Sequence, residues 1–241
     1  MRSFTVAERR ARLARRHFLA KSAGSIDGVV AALVGLHSTD PATPYLSLWS
    51  RLPDFKVADL EAELYERRTL VKHLAMRRTL WTVRAEDLPW IQSAASDRVA
   101  DNERRRLVAD AQKAGLAGDG DTWLDTACAA VLRHLAEHGD ASAKELRAAL
   151  PELVGSYDYA PGKRWGGETP LAPRVLTVLA VRGDIVRGPN AGAWTLSRPR
   201  WTPMDRWLAE KPATAAPEAA RTELVRRWLR AFGPATATDI K

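Results

Sequence analysis

The sequence predicts a mainly α-helical chain with small β-hairpins, and three observations carry that reading. Apolar residues recur at helical spacing through most of the 241 residues. Strand-length apolar segments flank turn residues at 70–85 and again at 184–197, and a stretch in the middle of the chain repeats near its end. A hydrophobic content of 46% is enough for a sizeable core, and the length allows one large domain or two to three small ones.

From the N-terminus, residues 6–21 (VAERRARLARRHFLAK) form a basic amphipathic helix with Val6, Leu13 and Phe18 as apolar contacts. Residues 1–21 hold seven Lys or Arg (Arg2, Arg9, Arg10, Arg12, Arg15, Arg16, Lys21) and one acid, Glu8. Such a run is either a solvated face or a surface for an acidic partner. SIDGVVAALVGLH is a second helix with Ser25 as its N-cap. DPATPYLSLWSRL opens a third, because Asp40 is an N-cap residue type and Pro41 suits the first helical position; VADLEAELYERRT is a fourth. In LVKHLAMRRTLWTVRA, residues 70–85, the apolar set Leu74, Met76, Leu80, Trp81 and Val83 is broken by Arg77, Arg78 and Thr79. That is the pattern of two short strands around a basic turn, and helices followed by such a hairpin read as a winged helix. A helical stretch runs from about Glu86 to Ala114, and GLAGDGD is the first clear linker.

The second half repeats this plan. VLRHLAEHGDASAKEL (131–146) aligns without a gap on VRRWLRAFGPATATDI (225–240) at an offset of 94 residues. In each copy a helix ends at a glycine, Gly139 or Gly233, and a Ser or Thr followed three residues later by an acid opens the next helix. The first copy continues into APRVLTVLAVRG, a recognition-type helix carrying Arg174, then into strands DIVRG and AWTLS around the turn PNAG, with Arg187, Arg198 and Arg200 on or near the wing. Residues 152–173 read as a long surface loop in which Lys163 and Arg164 stand among Tyr157, Tyr159 and Trp165, a mixture suited to phosphate contact and base stacking. The resulting organisation is tandem winged-helix domains at 1–115 and 116–207, with 208–241 the start of a third, so the chain reads as a fragment of a longer protein or its tail packs on the earlier domains.

Lys and Arg total 37 against 29 Asp and Glu, a net charge of +8 with pI near 10, and Arg greatly outnumbers Lys. This favours an acidic partner such as double-stranded DNA. Cys128 is the only cysteine, so no intrachain disulfide and no thiolate zinc site can form. No apolar run approaches the roughly 18 residues needed to span a bilayer, and the basic N-terminus has no signal core behind it. The sequence therefore reads as a cytoplasmic monomer needing no metal or other cofactor. No Walker loop or GxSxG elbow is present, and the His134–His138 pair lacks the zincin arrangement.

One polar tetrad remains, His37, Ser38, Thr39 and Asp40, set between VVAALVGL and YLSLW; it is either a helix junction or a site. The stretch GLHSTDPATPYLSLWSRL, then MRRTLWTV, then the repeated modules, resembles the AlkZ/YcaQ-like family of winged-helix proteins, which contains bacterial DNA glycosylases. The resemblance spans essentially the whole chain. It implies three winged-helix modules with a C-terminal β-domain and excision of cationic, N7-alkylated purines, including crosslinked ones. The family's tetrad reads Gln, a small or apolar residue, then Gln or Asp; here His37 and Thr39 stand at the two polar positions. On that resemblance His37 orients or deprotonates the attacking water and Thr39 or Asp40 assists, although Asp40 is equally a helix cap and His37 equally a helix-end residue satisfying free carbonyls. Arg77, Arg78 and Thr79 match the family's MRGT-like hairpin, with Arg78 in place of a small residue. Two further readings stay open: a winged-helix DNA-binding protein without catalysis, acting as regulator or damage binder, and a scaffold using an apolar groove near Trp49 and Trp81.

Overall fold

The computed structural model describes residues 3–116, 118–160, 162–208 and 214–240; Arg2 of the basic N-terminal run lies outside them. Thr5 and Glu8 form a reciprocal capping box that starts helix α1 (Val6–Arg16). This helix is shorter than the predicted 6–21 because the chain turns at His17. There His17 itself is buried, its Nε2 3.0 Å from the Ala231 carbonyl and its ring edge-on to Phe232 at 4.8 Å, while Val6 stays exposed.

Ser25 caps α2 (Ile26–Leu33) by accepting the Gly28 N–H, as its residue type predicts. The helix does not continue to His37. Val34 adopts a left-handed conformation, Gly35 follows at φ +145°, and the chain leaves as a two-residue strand, β1 (Leu36–His37). His37 is therefore not at a helix C-terminus, which removes the structural role first considered for it. A Cβ on Gly35 would lie 3.1 Å from Val83 Cγ1, so both the backbone angle and the space select glycine.

Asp40 caps as predicted but one turn ahead of the helix proper. Its Oδ1 accepts the N–H groups of Ala42 and Thr43, and α3 (Thr43–Trp49) begins two residues later than Pro41 suggests. Helix α4 (Val57–Glu61) continues as a π-helical turn over Ala62–Glu66. Strands β2 (Leu70–Leu74) and β3 (Leu80–Arg84) form the expected hairpin, and β1 adds to β3, giving sheet order β1-β3-β2. Helix α5 (Leu88–Ile91) then runs through a π-helical turn at Gln92–Ser96 into α6 (Asp97–Lys113).

The same order of elements follows in α7 (Gly120–His138), β4 (Ala141–Ser142), α8 (Ala143–Ala149), α9 (Ala172–Val181), β7 (Ile185–Asn190) and β8 (Pro199–Pro203), with sheet order β4-β8-β7. Between α8 and α9 the segment expected to be a loop forms a hairpin of β5 (Ser156–Tyr159) and β6 (Gly167–Pro170). The last strand of the second unit is 199–203 rather than 193–197. Trp194 is drawn out of the hairpin onto Tyr45, ring centroids 4.8 Å apart, and Asn190 closes the intervening loop through Leu196 and Arg198. A short α10 (Met204–Trp207) and α11 (Pro217–Phe232) follow, and Thr236 and Asp239 cap α12 (Ala237–Ile240) as Ser142 and Glu145 cap α8.

The first unit closes around Val29, Val30, Leu48, Leu60 and Leu64, the second around Leu124, Val131, Leu135, Leu176 and Leu179, and Val71, Val83, Ile91, Val186 and Trp207 join them. No helix among the described residues is long and apolar enough to cross a membrane. Gly35→Ala is expected to cost about 2 kcal/mol in chemical denaturation, from the left-handed-side backbone and the Val83 contact together. A cost below about 0.5 kcal/mol would show that the turn into β1 is not constrained as described.

Candidate functional site

Strand pairing decides which way each residue of the tetrad faces. In an antiparallel sheet, directly opposed residues share a face and neighbours along a strand alternate. His37 opposes Trp81, which opposes His73; Leu36 opposes Thr82, which opposes Lys72. His37, Trp81 and His73 thus occupy one face, and Leu36, Ser38, Thr82 and Lys72 the other.

His37 is exposed and meets Trp81 edge-on, centroids 5.3 Å apart; among the described residues its ring nitrogens make no hydrogen bond. It lines a cleft of about 510 Å³ between the first sheet and the α11–α12 segment, together with Ser47, Arg77, Trp81, Trp228 and Phe232. Trp228 and Phe232 stack on each other at 5.8 Å in its wall. The cleft therefore offers broad aromatic surface beside one free imidazole and one guanidinium.

The other tetrad residues are stitched to the backbone. Ser38 is buried, its hydroxyl 2.7 Å from that of Thr82 and bonded to the Leu36 carbonyl. Thr39 Oγ1 accepts the Leu80 N–H at 3.1 Å, and Asp40 holds the two N–H groups that precede α3. Neither Thr39 nor Asp40 lines the cleft. Asp239 does, but its carboxylate accepts the Thr236 N–H and hydroxyl.

His73, not singled out in the sequence, lies behind Trp81. It is buried, and its Nε2 is 3.0 Å from Ser96 Oγ, whose own proton goes to the Leu74 carbonyl. Burial pushes its imidazole down to about 4, so it is neutral. Trp228 and Phe232 also escaped notice: their i, i+4 spacing marks an apolar helix face, but nothing local says what that face covers.

The predicted cations divide into committed and free. Arg77 and Arg78 both adopt left-handed conformations at the hairpin turn, φ +57° and +59°. Arg78 reaches Glu103 at 3.1 Å and clamps the turn to α6, whereas Arg77 is exposed on the cleft. Thr79 donates to the Met76 carbonyl and accepts from Trp81 Nε1. Arg174 pairs with Asp110 under the ring of Tyr157, and Arg200 with Asp140 and Glu145. Lys163 and Arg164 are exposed at the β5–β6 turn, beside Tyr159 and Trp165, and Arg198 is exposed on the second hairpin loop. Arg187 is held between the two units. Only Arg77 shares the cleft with His37.

Cys128 is buried, which raises its thiol to about 11, and among the described residues no three His, Cys, Asp or Glu side chains gather as metal ligands would. The buried, neutral His73 has a pH consequence. Its folded value lies below the unfolded value of about 6.5, so only the unfolded chain takes up a proton between them. The His73 contribution to stability is expected to be constant above pH 6.5, to fall below it by about 3 kcal/mol in all, and to level near pH 4. His17, also lowered by burial, acts in the same direction. Denaturant titrations of wild type and His73→Gln check this; an unchanged slope in the variant would contradict it.

The comparisons with known proteins can be set against this geometry. The sequence model of AlkZ-like DNA glycosylases matches residues 30–241. The solved structure of Streptomyces sahachiroi DNA glycosylase AlkZ superposes with a TM-score of 0.69 at 20% sequence identity, over 98% of this chain and 59% of that one, a likeness in fold. The chain thus spans 59% of the length of that structure. No curated protein sequence matches significantly. With the family model covering most of the chain, this protein belongs to the AlkZ-like DNA glycosylase family.

Proposed function

We propose that this chain is the part of a DNA glycosylase that holds duplex DNA and carries the reacting centre, acting on N7-alkylated or other bulky cationic purines. The carrying observation is the unpaired His37 ring on the wall of an aromatic cleft, in a chain of this family. Both units, with strands ordered first-third-second, are read as winged-helix modules over 1–115 and 116–207, and 208–241 as the opening of a third.

The chemistry asks little of the protein. An N7-alkylpurine carries a positive charge, so the C1′–N9 bond breaks with its electron pair returning to the base, leaving an oxocarbenium-like sugar. A water oxygen then bonds C1′ and gives its proton to a ring nitrogen of His37. The cleft volume lies in the range that encloses a small molecule, and a base swung out of the duplex would stack on Trp81 or the Trp228–Phe232 pair. Thr39 and Asp40 act by fixing the turn that presents His37. Arg77 at the rim contacts backbone phosphate, with Lys163, Arg164 and Arg198 as further contacts on the second unit.

A second reading, DNA binding without catalysis, is favoured by one observation: among the described residues no free carboxylate stands in the cleft to balance a cationic sugar. Single-turnover base release from a duplex with one N7-methylguanine separates the two. The glycosylase reading expects release that falls about 100-fold or more in His37→Ala. Release unaffected by that substitution would refute His37's role, and duplex binding without release would move the protein to the second reading. Arg77→Ala is expected to weaken binding to all duplexes alike and to lower the slope of log affinity against log salt by about one; an unchanged slope would remove Arg77 from the interface.

A further inference from the structure

Behind the tetrad, on the face opposite His37, the seam between the two units holds two cations with no acid between them among the described residues. Lys72 on β2 donates to the Tyr65 hydroxyl at 3.0 Å, with its ammonium 5.6 and 6.0 Å from the ring centres of Tyr65 and Tyr45. Arg187 on β7, the strand lying against β2, lies over Trp201 at 5.1 Å and donates through Nη1 to Ser197 at 3.2 Å. Its Nε is buried and makes no hydrogen bond among the described residues. Ser38, Lys72, Arg187 and Ser197 line a cavity of about 20 Å³, not closed to solvent, which is room for roughly one oxygen-sized atom.

The charge balance of this seam is unusual. Burial and the field of Arg187 push Lys72 down to about 8, and the one acid acting on it, Glu61, has the smaller effect. Burial lowers Arg187 as well, with no carboxylate to offset it. Aromatic faces and two hydroxyls compensate such charges only in part, and an uncompensated buried cation is strongly unfavourable. Hydrophobic residues would fill the same space at lower cost, so the pair is better suited to a site whose counter-charge arrives with a ligand.

We propose that the seam binds one phosphate-type oxyanion, one oxygen entering the cavity that Arg187 and Lys72 line while the rest of the tetrahedral group stays at its mouth. Guanidinium N–H and ammonium together are the donors phosphate chemistry uses, and the Ser197 hydroxyl completes the set. Free inorganic phosphate and a backbone phosphodiester share this chemistry. The second source rests on the DNA reading above, under which a strand passing the His37 turn would place one phosphate against Ser38 and Pro41, both of which line the cavity.

The test is thermal denaturation of the full chain with increasing sodium phosphate, against sodium chloride at matched ionic strength, for wild type, Arg187→Gln and Lys72→Met. The expected result is a saturating rise in Tm with phosphate in wild type, absent in both variants, and no loss of Tm in Lys72→Met without phosphate, because that substitution removes a desolvated charge. An equal rise with chloride, or the same phosphate-dependent rise in all three proteins, would overturn the site. The salt dependence of duplex binding then identifies the source: a slope lower by about one contact in Arg187→Gln assigns a DNA phosphate, and an unchanged slope assigns free phosphate. A protein that binds phosphate here but no duplex keeps the site and loses the DNA reading, so the two failures are distinct.

Discussion

The pairing of Leu36 and His37 with β3 is the interaction on which the site depends. Two residues in extended conformation, entered through left-handed Val34 and Gly35 and left through the Asp40 turn, are enough to make successive side chains face opposite ways. His37 goes to the cleft; Leu36 and Ser38 go to the core and the seam. The Ser38–Thr82 and Thr39–Leu80 hydrogen bonds fasten this segment to the strand beside it. Each is worth about 1 kcal/mol net, so their value lies in direction more than in stability.

The far wall of the cleft is held by a different kind of contact. Arg227 on α11 joins Glu223 on its own helix to the buried Asp87 ahead of α5, and Arg84 grips the same Asp87. Arg16 donates to the Gly233 carbonyl, and His17 meets Ala231 and Phe232. Arg16, Arg84 and Arg227 thus hold α1 and α11 against the first unit. Pairing of this sort leaves the net charge of +8 unchanged but fixes which cations are free for an acidic partner, because partly buried Arg–carboxylate networks are structural.

What could be read from sequence was what depends on near neighbours. Ser25 and Asp40 cap because their side chains reach N–H groups two or three residues away; the 70–84 hairpin follows from two apolar runs around a polar turn; the Gly139 and Gly233 repeat carries its own capping chemistry. What could not be read depends on distant partners. A two-residue strand has no periodicity, so β1 looked like a helix end. Trp194 left its strand for Tyr45, a partner almost 150 positions away, and the Gly- and Pro-rich 152–173 segment hid a hairpin. Likewise no local rule distinguishes Arg200, tied to Asp140, from Arg198, which is exposed. Within the candidate site, the location of His37 was legible and its surroundings were not, since Trp228 and Phe232 come from the other end of the chain.

Under the proposed function, DNA enters the cleft beside His37. The chain has five histidines, of which His17 and His73 are buried and His134 and His138 sit together at the end of α7. Their imidazole C–H resonances, followed by two-dimensional NMR as a lesion-bearing duplex is added, give a direct readout that needs no catalysis. The His37 resonance is expected to shift or broaden with the duplex while those of His73, His134 and His138 stay in place. A duplex that binds and leaves His37 unmoved would contradict it.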